Sequence, residues 1–185
     1  VTLFLTCMVV AGVLGWVNSI TKDKIAAITW EKTVTAMKEV ISADDFSDAM
    51  DLTDDMTAAA TAQGGTLAAV YQAQSGGQPI GYAINVESSG SQGTISMMVG
   101  IDMDGAVTGV SIVTNSETSG IGSKVMGNEP LTNGTGVLDQ FIGKSAADGT
   151  LSVGSNVDAI TGATVSTKGV TTGVNAALAV AGVIG

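Results

Sequence analysis

The chain opens on a continuous apolar run. Val1 to Val17 carries only Thr2 and Thr6 as polar side chains, and a helix can satisfy a threonine hydroxyl on its own carbonyls. About 17 residues is the lower edge of a membrane-spanning helix, for which about 20 is usual. The run starts on valine rather than methionine, so further residues are expected before Val1. Trp16, with Asn18, Ser19, Thr21, Lys22 and Lys24 behind it, reads as a boundary between hydrocarbon and water. A cleaved signal peptide is the rival reading, but Trp16-Val17-Asn18 lacks the small-residue pattern of a cleavage site. Helical spacing continues through Ile25, Ile28, Thr29, Lys32, Ala36, Met37, Val40 and Ile41, which predicts one long helix leading from an anchor to a soluble domain.

Asp44 to Asp55 holds six aspartates and predicts an exposed linker or loop. From Thr66 the period changes to two. Thr66–Ala73, Ile80–Glu87, Thr94–Asp102 and Ala106–Thr114 are predicted strands, and the short Gly- and Ser-rich segments between them make neighbours antiparallel. Ile95, Met97, Val99 and Ile101 line one face of the third strand. Asp102-x-Asp104-Gly105 opens like a calcium loop, but position twelve would be Val113, so a hairpin turn is expected. Val137, Leu138, Phe141 and Ile142 stand at helical spacing within Pro130 to Ser145. Leu151 to Ile160 has the β-branched content of a strand. Beyond Thr167, Val170, Val174, Ala177, Leu178 and Ala181 predict a helix with one buried face. The pattern is α+β: an N-terminal transmembrane helix (1–20), a helical stalk (21–43), and a domain over 44–185 with an antiparallel sheet and flanking helices.

Composition narrows the chemistry. Hydrophobic residues make up 45% and aromatics 4%, so the core is aliphatic. The formal charge is −10, every basic residue is lysine, and there is no histidine. An acidic chain without arginine is a poor nucleic-acid binder. Without histidine the commonest metal ligand and general base are missing. The single cysteine, Cys7, excludes an internal disulfide and a thiolate cluster, and reads as a small apolar filler in the first helix. Neither a catalytic set nor a metal site is expected. Gly143-Lys144-Ser145 is not a P-loop, because no strand precedes it and the first glycine stands too close.

The segment with the clearest chemical use is Asp158-Ala159-Ile160-Thr161-Gly162-Ala163-Thr164, which enters the last helix through Val165-Ser166-Thr167-Lys168. Gly162 and Ala163 let a large group approach the backbone. The first N–H groups of a helix lack internal partners, and the helix dipole favours an anion there. A threonine hydroxyl at the same place can carry a phosphate as an ester. The plainer reading is a strand–turn–helix capped by Ser166 or Thr167.

Those seven residues resemble the acidic-x-x-Ser/Thr-Gly-Ala-Thr motif of the membrane-bound FMN-binding subunits. These are the G subunit of the Rnf-type electron transport complex and the C subunit of the sodium-pumping NADH:quinone oxidoreductase. Asn115-Ser116-Glu117-Thr118-Ser119-Gly120-Ile121-Gly122 resembles their His-x-Glu-Thr-Pro-Gly-Leu-Gly loop. Glu117, Thr118, Gly120 and Gly122 match, whereas Asn115 replaces the histidine and Ser119 the proline. The strand–turn–strand from Gly100 to Val110 and the Phe141-x-Gly143-Lys144 segment also resemble the family, while Ser91 stands where a tyrosine is frequent. With the anchor, these features occur in the family's order along nearly the whole chain.

The resemblance implies FMN joined through its 5′-phosphate to Thr164 by a separate flavin transferase. Asp158, Thr161, Gly162 and Ala163 would be the recognition context, and Glu117, Thr118, Gly120 and Gly122 a loop near the flavin ring. It implies a single-pass protein in the cell membrane, its soluble domain extracytoplasmic, although Lys22 and Lys24 weigh toward the other side. Electrons would pass between ferredoxin and NAD, coupled to sodium or proton translocation, with the nicotinamide and ferredoxin sites on other membrane and peripheral subunits. The Rnf-type G subunit is preferred over the C subunit of the quinone reductase because the chain is short. Two other classes are set beside this: a membrane-tethered binding module with no redox role, and a threonine-nucleophile enzyme, for which no activating base is in view.

Overall fold

The computed structural model describes residues 2–117, 120 and 122–184, with the backbone alone for residues 2, 3, 5, 9, 22–27 and 29. Thr118 and Ser119, and the side chains of Lys22 and Lys24, lie outside the described residues. The chain forms two units, residues 1–34 and 35–185.

One helix, α1, runs Thr2–Val40. In the first unit Phe4, Met8, Val13, Leu14, Trp16 and Ile20 are exposed. Cys7 is exposed there as well.

The second unit is built on a five-stranded antiparallel sheet in simple sequence order: β1 Asp45–Phe46, β2 Thr66–Ser75, β3 Gln78–Ser89, β4 Thr94–Asp102 and β5 Val107–Asn115. A helix α2, Asp54–Ala62, precedes β2, and a short α3, Gly122–Met126, follows β5. The last element is α4, Thr164–Ile184. The four strands predicted from alternation are present, each end within two residues of its expected place. The acidic stretch is an exposed loop over most of its length, as expected, with regular structure at two places. Asp45 and Phe46 pair with Gln74 and Ala73 as an edge strand, and Thr53 caps α2, its hydroxyl accepting from the Met56 N–H at 3.3 Å. Asp54 and Asp55 in the first turn of α2 complement the helix dipole, so the last two of the six aspartates mark a helix start.

β4 is covered on both faces, which is why Ile95 to Ile101 is buried without alternation. Ile95, Met97, Val99 and Ile101 join α4 and α2 in the main core through Val170, Val174, Ala177 and Ala60. α4 is long and apolar enough to cross a membrane, but over half of it is buried inside the domain. Its apolarity therefore has a packing cause. On the opposite face the end of α1 is laid against glycines. A Cβ on Gly100 would come within 2.4 Å of the Val40 carbonyl oxygen, and one on its cross-strand neighbour Gly109 within 2.9 Å of the Val40 Cα. Thr108 Oγ1 donates to the same Val40 carbonyl, and Ser111 Oγ donates to Glu39 at 2.6 Å.

Two expectations are corrected. Residues 130–145 form no helix beyond a 3-10 turn at Asp139–Phe141. Val137, Leu138 and Phe141 are buried from an irregular path, and Ile142 is exposed. Residues 151–160 form no strand, only a single bridge between Val153 and Val157.

Candidate functional site

The approach to α4 is a turn. The Ala163 N–H donates to the Ile160 carbonyl at 2.9 Å. Gly162, third in that turn, has φ +85°, a left-handed conformation that glycine adopts without the clash of a Cβ. The Ala163 carbonyl accepts from both the Thr167 N–H and the Thr167 hydroxyl, each at 3.0 Å. Ala163 is therefore the residue that caps the helix, and Thr164 is its first residue. The expected caps Ser166 and Thr167 are corrected: both are buried inside the first turn and make other contacts.

An alanine in the capping place has no oxygen to offer. Among the described residues, no side chain accepts from the N–H groups of Thr164, Val165 or Ser166. Thr161, Gly162 and Thr164 are exposed, while Ala163 is buried at 2%. The first turn of a 21-residue helix thus presents free donors beside an exposed threonine.

Side-chain amides hold the segment leading to this turn. Asn175 pairs in both directions with the backbone of Leu151, at 2.9 Å each way. Gln140 Oε1 accepts from the Asp158 N–H at 2.8 Å, and its Nε2 donates to the Asp158 carbonyl at 3.0 Å. These two side chains take the place of a neighbouring strand.

The glycine-bearing loop comes to the same end of α4. Asn115 Oδ1 accepts from the Glu117 N–H at 3.1 Å, a local turn that sets the loop's exit from β5. The Glu117 carboxylate then reaches out of the loop. Oε1 accepts from the Ser91 N–H at 2.7 Å and the Gln92 N–H at 3.2 Å, at the tip of the β3–β4 hairpin. Oε2 accepts from the Ser166 hydroxyl of α4. Gly122, the first residue of α3, packs on the Glu117 side chain, and the Gly120 N–H donates to Ser123 Oγ at 2.9 Å. Ser88 Oγ donates to the Gly169 carbonyl at 2.8 Å and pins the next turn of α4 to β3.

The two separated sequence motifs therefore meet, through Glu117 and Ser166. No aromatic side chain is among the residues that make these contacts. Phe141 is fully buried in the core, Trp30 is exposed on α1, and Tyr82 lies at the Ile101 end of β3, away from Ser89. Lys168 is exposed, and Lys124 lies 3.9 Å from Glu129. The contacts made by Ser91, Gln140 and Ser166 carry no sequence signal. Their partners stand 18 to 49 residues away, and no local pattern marks them. A concavity of about 210 Å³ lined by Gln63, Gly149, Thr150, Asn175 and Leu178 lies further along α4 and includes none of the predicted residues.

Comparison with known proteins gives the family. The FMN-binding domain family matches residues 90–179, a span that contains the hairpin tip, the Glu117 loop and the Thr164 turn. The chain is 34% identical over 189 residues to the G subunit of the Na(+)-translocating ferredoxin:NAD(+) oxidoreductase complex of Acetobacterium woodii, covering 96% of this chain and 87% of that protein. It is 29% identical over 183 residues to the G subunit of the ion-translocating oxidoreductase complex of Methanosarcina acetivorans, covering 96% and 90%. The G subunit of the proton-translocating ferredoxin:NAD(+) oxidoreductase complex of Clostridium ljungdahlii is 36% identical over 112 residues, covering 58% of this chain and 57% of that protein.

Proposed function

We infer the function from one premise: the chain belongs to the G-subunit family of ion-translocating oxidoreductase complexes and carries that family's FMN-binding domain. It is an FMN-binding electron carrier within a ferredoxin:NAD oxidoreductase complex coupled to ion translocation. The finer reading is that the flavin is held covalently, as a phosphoester on Thr164.

The residues at Thr164 fit a phosphate. Thr164 is exposed at the first position of a long helix, Ala163 leaves the leading N–H groups without a side-chain acceptor, and the turn at Gly162 leads into that helix. Three backbone donors and the positive end of the helix dipole compensate a phosphate's charge in a chain of net −10. That exposed threonine at a helix start is the observation that carries the reading. When bound, FMN supplies the reversible uptake and release of electrons, and the protein supplies attachment and orientation. Thr164 holds the phosphate end, Thr161 and Gly162 form the turn beneath it, and Glu117 fixes the adjoining loop.

α1 is the membrane anchor in this reading. Its exposed Phe4, Met8, Val13 and Leu14 and its Trp16 suit a lipid contact and its boundary. The anchor crosses once, the domain stands outside the cytoplasm, and a flavin transferase completes the protein before it joins its partner subunits. In-gel flavin fluorescence that survives denaturation tests the covalent reading. A band that fluoresces in the wild type and not in Thr164→Ala supports it, and loss of all fluorescence from wild type on denaturation opposes it.

A further inference from the structure

We propose that Glu117 is a positioning residue, which latches the β3–β4 hairpin tip and the loop after β5 to the first turn of α4 and so sets where the Thr164 hydroxyl stands. The inference rests on Thr164 being the attachment site and adds the device that presents it.

Glu117 was expected to lie near the flavin ring, yet its two carboxylate oxygens are already engaged. Oε1 takes the N–H groups of Ser91 and Gln92, and Oε2 takes the hydroxyl of Ser166. Ser166 is 2% exposed, two residues past Thr164 on the same helical turn. The space around the carboxylate is closed on the protein side. A Cβ on Gly90 would fall 2.2 Å from Oε1, and one on Gly122 2.6 Å from Oε2. Hydrogen bonds to an ionised acceptor are shorter and stronger than neutral ones, so three of them on one carboxylate fix three chain segments together. Glu117 stands 25 residues from Gln92 and 49 from Ser166, so one carboxylate ties together segments far apart in sequence. A rigid support of this kind matters to an enzyme that must bring the pyrophosphate of a flavin dinucleotide into line with one hydroxyl. The Thr164 oxygen forms the new bond to the flavin-side phosphorus, the pyrophosphate bond breaks, the nucleoside monophosphate leaves and the hydroxyl proton is given up. A displacement of about 1 Å at such a step lowers the rate on the order of a hundredfold.

The test uses the full chain expressed with the flavin transferase and reads the esterified fraction of the peptide spanning Asp158–Lys168. A second readout is the melting temperature of the same chain made without the transferase. Ser166→Ala removes only the link to α4 and suits a helix. It is expected to reduce the esterified fraction after a short exposure by more than about fivefold while moving the melting temperature little. Glu117→Ala should lose at least as much. Glu117→Gln retains a carbonyl for the hairpin and an amide that donates to the Ser166 oxygen, and should load nearly as wild type. If Ser166→Ala and Glu117→Ala both load at the wild-type rate, the latch is overturned and Thr164 attachment stands. A wild-type chain without any ester at Thr164 overturns both.

Discussion

Gln140 pairs with Asp158 as one strand pairs with another: its amide oxygen accepts from the Asp158 N–H at 2.8 Å and its amide nitrogen donates to the Asp158 carbonyl at 3.0 Å. The seven-residue segment ending at Thr164 starts at that pair. Gln140→Glu keeps the acceptor but turns a carboxylate oxygen on the Asp158 carbonyl. We expect a loss of about 1–2 kcal/mol, seen as a fall of roughly 2–8 °C in melting temperature. Faster hydrogen exchange at the Asp158 amide would locate the effect.

Gly162 is held at φ +85° in the turn before α4. Gly162→Ala forces a Cβ into the left-handed region and should destabilise the domain by about 1–2 kcal/mol. Thermal melting checks the value. The same variant should carry less esterified flavin, because the turn sets the start of the helix that Thr164 opens.

The α1 end is seated by backbone contact, which separates two glycine substitutions. Gly100→Ala meets the Val40 carbonyl at 2.4 Å, where only main chain can yield, whereas Gly173→Ala meets the flexible end of Met97 at 2.6 Å. Gly100→Ala should cost about 2 kcal/mol or more, by overpacking against a rigid neighbour, and Gly173→Ala distinctly less. Comparative denaturant midpoints of the two variants decide it.

The strands were legible because four successive segments alternate, and α4 because its buried positions recur at helical spacing. The segment before Thr164 was not. Leu151 and Val157 are buried from irregular backbone, so β-branched content there reports burial without a strand. The bonds that hold it come from Asn175 and Gln140, which no local window connects to it. In the acidic stretch a capping signal at Thr53-Asp54-Asp55 was present but read as charge alone. The Thr164 motif was visible by resemblance. The way Glu117 reaches Ser166 required the fold, because 49 residues separate the two in sequence.

Asp44 supplies a pH dependence at the β2–β3 turn. Ser75 Oγ donates to its carboxylate at 2.7 Å and the Gly76 N–H at 3.0 Å, and these bonds, the Ser75 one foremost, hold its pKa below the usual carboxylate range. A folded-state value that is lowered contributes stability above the ordinary carboxylate pKa, and that contribution is lost as pH falls through the lowered value. Asp44→Asn should therefore melt slightly below wild type at neutral pH, and the gap should close in strong acid. Melting curves from pH 7 downward read this directly.

The proposed covalent attachment turns on one hydroxyl, that of Thr164 at the head of α4. Peptide mass spectrometry across Asp158–Lys168, on protein taken from its native membrane, tests it most directly. The expected peptide carries the mass of an FMN phosphoester, with fragments placing it on Thr164. An unmodified peptide, or an ester on Thr161, Ser166 or Thr167, would contradict it.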